Sequence, residues 1–104
     1  MHHPGVEPTP AWFIITAHVH DREPFMSRYS PATAKLAEAM GGKYIVRGRG
    51  GQVLEGEGPD GAGGIVIEWP DRETALRFWN SPEYAEVKKL REGLADISVM
   101  LVEG

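Results

Sequence analysis

The sequence contains no cysteine among its 104 residues, which excludes a disulfide framework, a thiolate metal site and a cysteine nucleophile. It also lacks an excess of positive charge, because 11 Lys and Arg against 15 Asp and Glu leave a net charge of −4. Such a chain has no overall attraction to nucleic acid or to anionic lipid. No apolar run reaches membrane-spanning length, and the N-terminus lacks a signal-peptide layout. We therefore expect a cytoplasmic protein with neither a nucleic-acid nor a membrane partner.

The composition that remains, 41% hydrophobic and 25% charged, is typical of one soluble globular domain. The first ten residues, MHHPGVEPTP, contain three prolines and favour a loose tail. Two histidines, His2 and His3, are too few to show whether the tail is native. We predict a flexible N-terminal tail over residues 1–11 and a single domain over residues 12–104.

The chain is organised around residues 63–91. The β-branched run from Ile65 to Trp69 predicts a buried strand. Asp71 is placed to cap the helix that follows it, and Ser81 to cap a second helical segment with proline at its first position. A buried strand feeding a two-part helix requires a sheet, which the rest of the chain supplies.

The complete pattern alternates strands and helices in the order β-α-β-β-α-β. We expect strands near residues 12–19, 43–54, 64–69 and 96–103, and helices near residues 24–40 and 71–92. Pro31 predicts a kink or break near Ser30. This order is typical of a ferredoxin-like α+β fold, a four-stranded antiparallel sheet with both helices on one face. The first and third strands are expected to be parallel neighbours at the centre of that sheet.

The face of the sheet away from the helices is predicted by alternation along each strand. It would carry Trp12, Ile14, Thr16, His18, Ile45, Arg47, Val66, Glu68, Ser98, Met100 and Val102. Its apolar members form a larger patch than monomers usually expose. We therefore expect a homodimer in which a second copy covers this face.

Three polar residues of that face, His18, Arg47 and Glu68, are expected to converge at one end of the sheet. An arginine–glutamate pair beside an imidazole can hold a carboxylate or enolate and move a proton. Trp12 and Thr16 would complete the binding surface. The alternative, which we favour from the sequence alone, is a structural salt bridge that closes the sheet edge and tolerates a histidine at its rim. A metal site at His18 and His20 would lack ligands beyond Glu68 or Asp21, so we expect no metal.

Three segments carry a family resemblance: KYIVRGRGGQVLEG, IVIEWPDRETALRFWNSPEYAEVKKLR and the closing LVEG. Over residues 12–104 the chain resembles the domain-of-unknown-function 1330 family, most specifically in IEWP…FWNSPEY…LR. That family is similar to the dimeric α/β-barrel proteins, whose relatives include cofactor-independent monooxygenases and haem-degrading enzymes. The resemblance implies the fold and a homodimer, but no reaction.

Our hypothesis is a homodimer that binds a small organic anion in a cleft without a cofactor. If it is an enzyme, we expect oxygenation, isomerisation or decarboxylation through a stabilised carbanion or enolate. Arg47 would hold the anion, His18 would act as the base, and Glu68 would orient Arg47. The alternative is a non-catalytic binding or interaction module whose polar residues are purely structural.

Overall fold

The computed structural model describes residues 9–58 and 60–104, so most of the predicted tail lies outside the described residues. The described chain forms one four-stranded sheet, in the order β2-β3-β1-β4. The strands are β1 (Ala11–Val19), β2 (Lys43–Gly48), β3 (Gly63–Trp69) and β4 (Ala95–Glu103). All neighbouring strands are antiparallel, which confirms the expected ferredoxin-like α+β fold.

The expectation that β1 and β3 are parallel is wrong. They pair antiparallel, with Trp12 opposite Glu68 and Ala17 opposite Gly63. The physical reason lies in the helical crossovers. Each one returns the chain to a parallel strand two places away, and the gap between the two strands is filled by an antiparallel neighbour.

Helices connect β1 to β2 and β3 to β4. The first connection contains α1 (Arg22–Pro24), a π-helical turn (Phe25–Tyr29) and α2 (Ser30–Ala39). The second contains α3 (Arg72–Trp79), α4 (Pro82–Lys88) and a 3₁₀ turn (Lys89–Arg91). Within the described residues, no helix has the length and apolar character needed to cross a membrane.

The helix caps of the second connection form as the sequence predicts. The Asp71 carboxylate accepts the backbone N–H of Thr74 at 2.7 Å, and the Ser81 hydroxyl accepts that of Tyr84 at 3.0 Å. Each bond satisfies a donor that the first helical turn leaves without a partner. These caps fix where the two halves of the connection begin.

The irregularity expected near Ser30 is a π-helical turn. The N–H of Ser30 bonds to the carbonyl of Phe25, five residues earlier. Pro31 follows at the start of α2 and has no N–H to continue the ordinary helical pattern. The wider turn accommodates that missing donor, and both ends of the turn, Phe25 and Tyr29, are buried in the core.

The core lies between the helices and one face of the sheet. Its largest fully buried side chains are Ile67, Trp69 and Phe78, and Phe13 packs edge-on against Trp69 with ring centroids 5.4 Å apart. A Cβ atom at Gly42 would lie only 2.8 Å from the Trp69 ring. The absence of a side chain at Gly42 therefore allows the indole to pack against this backbone.

Strand β2 is shorter than predicted, because it ends at Gly48, and the described residues between Gly48 and Gly63 form a loop. The Gly51 N–H bonds to the Ala62 carbonyl at 2.9 Å and closes the base of this loop. Farther out, the Asp60 carboxylate accepts the N–H of Val53 at 2.9 Å. A side chain therefore satisfies a donor that a continued strand would have paired with backbone, and the predicted continuation of this strand to residue 54 does not form.

Strand β2 also contains a bulge at Ile45. Tyr44 lies opposite Ile67, and the next paired residue, Val46, lies opposite Val66. One extra residue reverses the alternation of side chains beyond it. Arg47, opposite Ile65, therefore lies on the helix-covered face, and its predicted place on the other face is wrong. We call the face without helices the open face.

Candidate functional site

A cavity of about 680 Å³ lies between the sheet and the helices, within the size range of small-molecule sites. Its walls are largely aromatic and aliphatic. The sheet contributes Phe13, Ile15, Ile65, Ile67, Ile97 and Val99, and the helices contribute Phe25, Tyr29, Thr33, Phe78, Trp79 and Tyr84. The π-helical turn directs Phe25 and Tyr29 into this space. The arrangement suits a ligand with an apolar body.

The exposed edge of the cavity is positively charged. We call this edge the rim; its charged and titratable residues are His18, Arg22, Arg47, Arg49 and Asp60. Among the described residues, none of the three arginines is in an ion pair. The rim is therefore cationic although the whole chain is acidic, and this favours an anionic group at the mouth.

Arg47 is positioned by its neighbour Tyr44. The guanidinium carbon lies 4.2 Å from the centroid of the Tyr44 ring, a cation–π arrangement. The bulge at Ile45 makes this contact possible. Tyr44 and Arg47 are three residues apart, so strict alternation would place them on opposite faces of β2, but the bulge places them on the same face. Burial raises the pKa of Tyr44 to about 12, and the Arg47 charge partly offsets that rise.

Two buried tyrosines meet in the cavity wall. The hydroxyl oxygens of Tyr29 and Tyr84 lie 2.7 Å apart. Burial raises the pKa of Tyr84, and the neighbouring Tyr29 raises it further, so the phenol remains neutral at physiological pH. No local sequence pattern marks this pair, because the two residues are 55 positions apart. Only the packing of α4 against the first helical connection brings them together.

The predicted convergence of His18, Arg47 and Glu68 is wrong. His18 lies opposite Asp96 on β4, whereas Glu68 lies opposite Trp12 near the other end of β1. At about 3.3 Å per residue, the six residues from Trp12 to His18 separate these positions by roughly 20 Å. The error follows from the parallel arrangement assumed for β1 and β3.

Glu68 is also separated from Arg47. Arg47 lies opposite Ile65, three residues along β3 from Glu68, which corresponds to roughly 10 Å. Alternation places Glu68 on the open face, where its neighbour on the adjacent strand β2 is Lys43. Among the described residues, the cavity lining includes His18 and Arg47 but not Trp12, Thr16 or Glu68.

His18 has a second neighbour at its end of the sheet. Its ring packs edge-on against that of His20, with centroids 4.9 Å apart. The Nε2 atom of His20 lies 2.8 Å from a carboxylate oxygen of Asp96. Across residues 9–58 and 60–104, no group of three or more His, Cys, Asp or Glu side chains is arranged to hold a metal ion.

Comparison with known proteins identifies a family and a fold. The family model described as Domain of unknown function (DUF1330) matches residues 10–104, and no curated protein matches the chain. A protein of unknown function from Rhodopseudomonas palustris superposes with a TM-score of 0.76 at 17% identity, covering 94% of this chain and 84% of its own. At this identity the likeness shows the fold alone.

Two further structures share that fold. A dimeric ferredoxin-like protein of unknown function from Thermobifida fusca has a TM-score of 0.64 at 14% identity, covering 99% of this chain and all of its own. SnoaB, a cofactor-independent oxygenase from Streptomyces nogalater, has a TM-score of 0.59 at 15% identity, covering 92% of this chain and 93% of its own.

Proposed function

The chain belongs to the DUF1330 family, a domain of unknown function, and we propose that it binds a small, largely apolar organic anion in the cavity between sheet and helices. One observation carries this proposal: a cavity of about 680 Å³ with aromatic walls opens at a rim of three arginines. An apolar body gains free energy by leaving water for such walls. An acid group at the mouth meets guanidinium donors.

Arg47 is the proposed anchor for the anion. Its planar guanidinium can donate two hydrogen bonds to a carboxylate, in a geometry that a lysine ammonium does not reproduce. The contact with the Tyr44 ring supports it from one side. Glu68 has no part in this proposal, since the strand register separates it from Arg47.

The proposed chemistry is cofactor-independent oxygenation, the activity named for SnoaB. His18, at the rim, would take a proton from an acidic C–H group of the bound ligand. The electron pair left on carbon would then form a C–O bond with dioxygen, and the resulting peroxide anion would take the proton back from His18 to give a hydroperoxide. If the proton instead returned to another carbon, the outcome would be isomerisation. The apolar walls would exclude water from the carbanion.

A non-catalytic binding module is the alternative, and one contact favours it. The His18 ring already packs against His20, so the imidazole has a structural neighbour whether or not it moves protons. In this alternative the cavity and the arginine rim keep their binding role. Only proton transfer is lost.

The open face supports a homodimer as the functional unit. Its exposed apolar side chains include Ile45, Val46 and Met100, and the half-buried Trp12, Ile14 and Val66 lie beside them. A ferredoxin-like neighbour is dimeric. We propose that a second copy covers this face and leaves the cavity, on the other side of the sheet, open to ligand.

Calorimetric titration with fluorene-2-carboxylate, an apolar planar acid, tests the binding proposal. We expect binding to the wild type, weakened about 1.4- to fivefold in Arg47→Gln, because exposed ion pairs contribute about 0.2–1 kcal/mol. Arg77→Gln is the matched control, since Arg77 on α3 pairs with Glu73 and does not line the cavity. Absence of binding, or equal weakening in both variants, would contradict the proposal.

Dioxygen consumption with a panel of enolisable apolar acids separates the two candidate functions. An oxygenase should consume dioxygen with at least one member, and His18→Ala should remove that turnover while leaving the calorimetric affinity within about twofold. Binding of several members without any turnover would favour the binding module instead.

A further inference from the structure

The cavity wall contains a cluster of buried hydroxyl groups formed by Tyr29, Thr33 and Tyr84, which we call the hydroxyl cluster. All three residues line the cavity, and each is more than nine-tenths buried. Tyr29 and Thr33 are four residues apart along the first helical connection, so both lie on the same side of it. Tyr84 reaches Tyr29 from α4.

In the hydroxyl cluster, some of the hydrogen-bond donors have no acceptor. A pair of hydroxyls carries two O–H hydrogens, and the bond between Tyr29 and Tyr84 uses one of them. Among the described residues, the other hydrogen has no further acceptor within hydrogen-bonding distance. The Thr33 hydroxyl likewise has no partner there. Buried polar groups without partners are unfavourable by the free energy of their lost hydration.

A ligand oxygen would satisfy these donors. The aromatic walls supply no strong acceptor of their own, and the exposed arginines of the rim are donors as well. We propose that the hydroxyl cluster is a binding site for a carbonyl oxygen, so that the ligand is an apolar acid carrying a ketone as well as its carboxylate. This inference rests on the proposed function, because it assumes that an apolar anion occupies the cavity.

The two ends of such a ligand would be bound by different parts of the site. The carboxylate would lie at the rim, with Arg47, and the ketone would lie against the buried hydroxyls. A neutral phenol donates a hydrogen bond without adding charge to the apolar interior. The hydroxyl cluster therefore favours a ligand with a hydrogen-bond acceptor, and the rim favours a ligand with a negative charge.

A matched pair of probes tests this assignment. Fluorenone-2-carboxylate and fluorene-2-carboxylate differ by one ketone oxygen in place of two hydrogens. Calorimetry on the wild-type protein should show the ketone acid binding about three- to tenfold more tightly, the contribution of one net hydrogen bond. In the double variant Tyr29→Phe/Tyr84→Phe this ratio should fall to about one.

The double variant is chosen because it removes both partners of the buried hydrogen bond. Replacing both with apolar groups of the same shape is close to neutral for stability, whereas removing one strands the other. Tyr44→Phe is the control, since it removes a hydroxyl from the same cavity but from outside the cluster. It should keep the preference for the ketone. Thr33→Val gives a second test, with a partial loss of that preference expected.

The outcomes separate this inference from the proposed function. If both acids bind the wild type equally, or if the double variant keeps the full ketone preference, the hydroxyl cluster is not the oxygen site, and the anion-binding proposal stands. If neither acid binds, the proposed function fails and the inference fails with it. Loss of the preference in Tyr44→Phe alone would move the oxygen site to Tyr44 and overturn the assignment.

Discussion

Replacing Met100 with glutamate should convert the protein from a dimer to a monomer. Met100 lies on the open face, opposite Ile14 of β1, and 58% of its surface is exposed in the single chain. The substitution therefore places a charge where the isolated subunit tolerates one. In a dimer formed through this face, the same charge would be buried.

The magnitude follows from that exposure. Burying a whole methionine side chain stabilises by about 1.5–3 kcal/mol, so burying the exposed part contributes roughly 1–2 kcal/mol in each subunit. Because the interface is two-fold, this contribution of Met100 is lost in both subunits. Each buried glutamate adds a desolvation cost of several kcal/mol. The total is at least about 4 kcal/mol, which weakens the dissociation constant by about a thousandfold.

Size-exclusion chromatography with light scattering gives the result directly. The wild type should have about twice the 11.4 kDa mass of one chain, and Met100→Glu should have the mass of one chain, with an unchanged circular dichroism spectrum. Leu54→Glu is the control, since Leu54 is 87% exposed but belongs to the loop that follows β2. A monomeric wild type, or a Met100→Glu variant that stays dimeric, would refute the assignment of the open face.

Two further predictions concern stability. Ser81→Ala should lower the free energy of unfolding by about 1–2 kcal/mol in urea titrations, because it removes the cap on Tyr84 and the bond to the Phe78 carbonyl; the exposed Ser27→Ala serves as a near-neutral control. Above about pH 10 the free energy of unfolding should fall as pH rises, since the raised pKa values of Tyr44 and Tyr84 mean that only the unfolded state releases those protons. A smaller fall in Tyr44→Phe is expected, and stability that rises with pH would contradict the pKa shifts.

Local patterns predicted most of the fold. The structure confirms the β-branched run at β3, the caps at Asp71 and Ser81 and the alternation along β1. Each of these features depends on residues that are close together in the sequence. Strand direction is different, because it depends on where each helical crossover returns the chain. The mistaken parallel arrangement of β1 and β3 came from that step.

The candidate site was harder to predict because it depends on relations between distant residues. The bulge at Ile45 leaves no clear local mark, yet it decides which face Arg47 occupies. The pairing of Tyr29 with Tyr84 depends on the packing of two helices. His18 and Arg47 were recognised by residue type, but the partner proposed for them, Glu68, was placed by an incorrect register.

The bulge at Ile45 means that a one-residue change in register would exchange the two faces of β2. If Ile45 paired directly with Val66, strict alternation along β2 would turn Arg47 towards the open face and Val46 towards the cavity. The cavity would lose its anchoring cation at the same moment as an apolar contact surface gained an unpaired one. The proposed ligand site and the proposed dimer surface, on opposite faces of the sheet, thus both depend on one bulge in an edge strand of six residues.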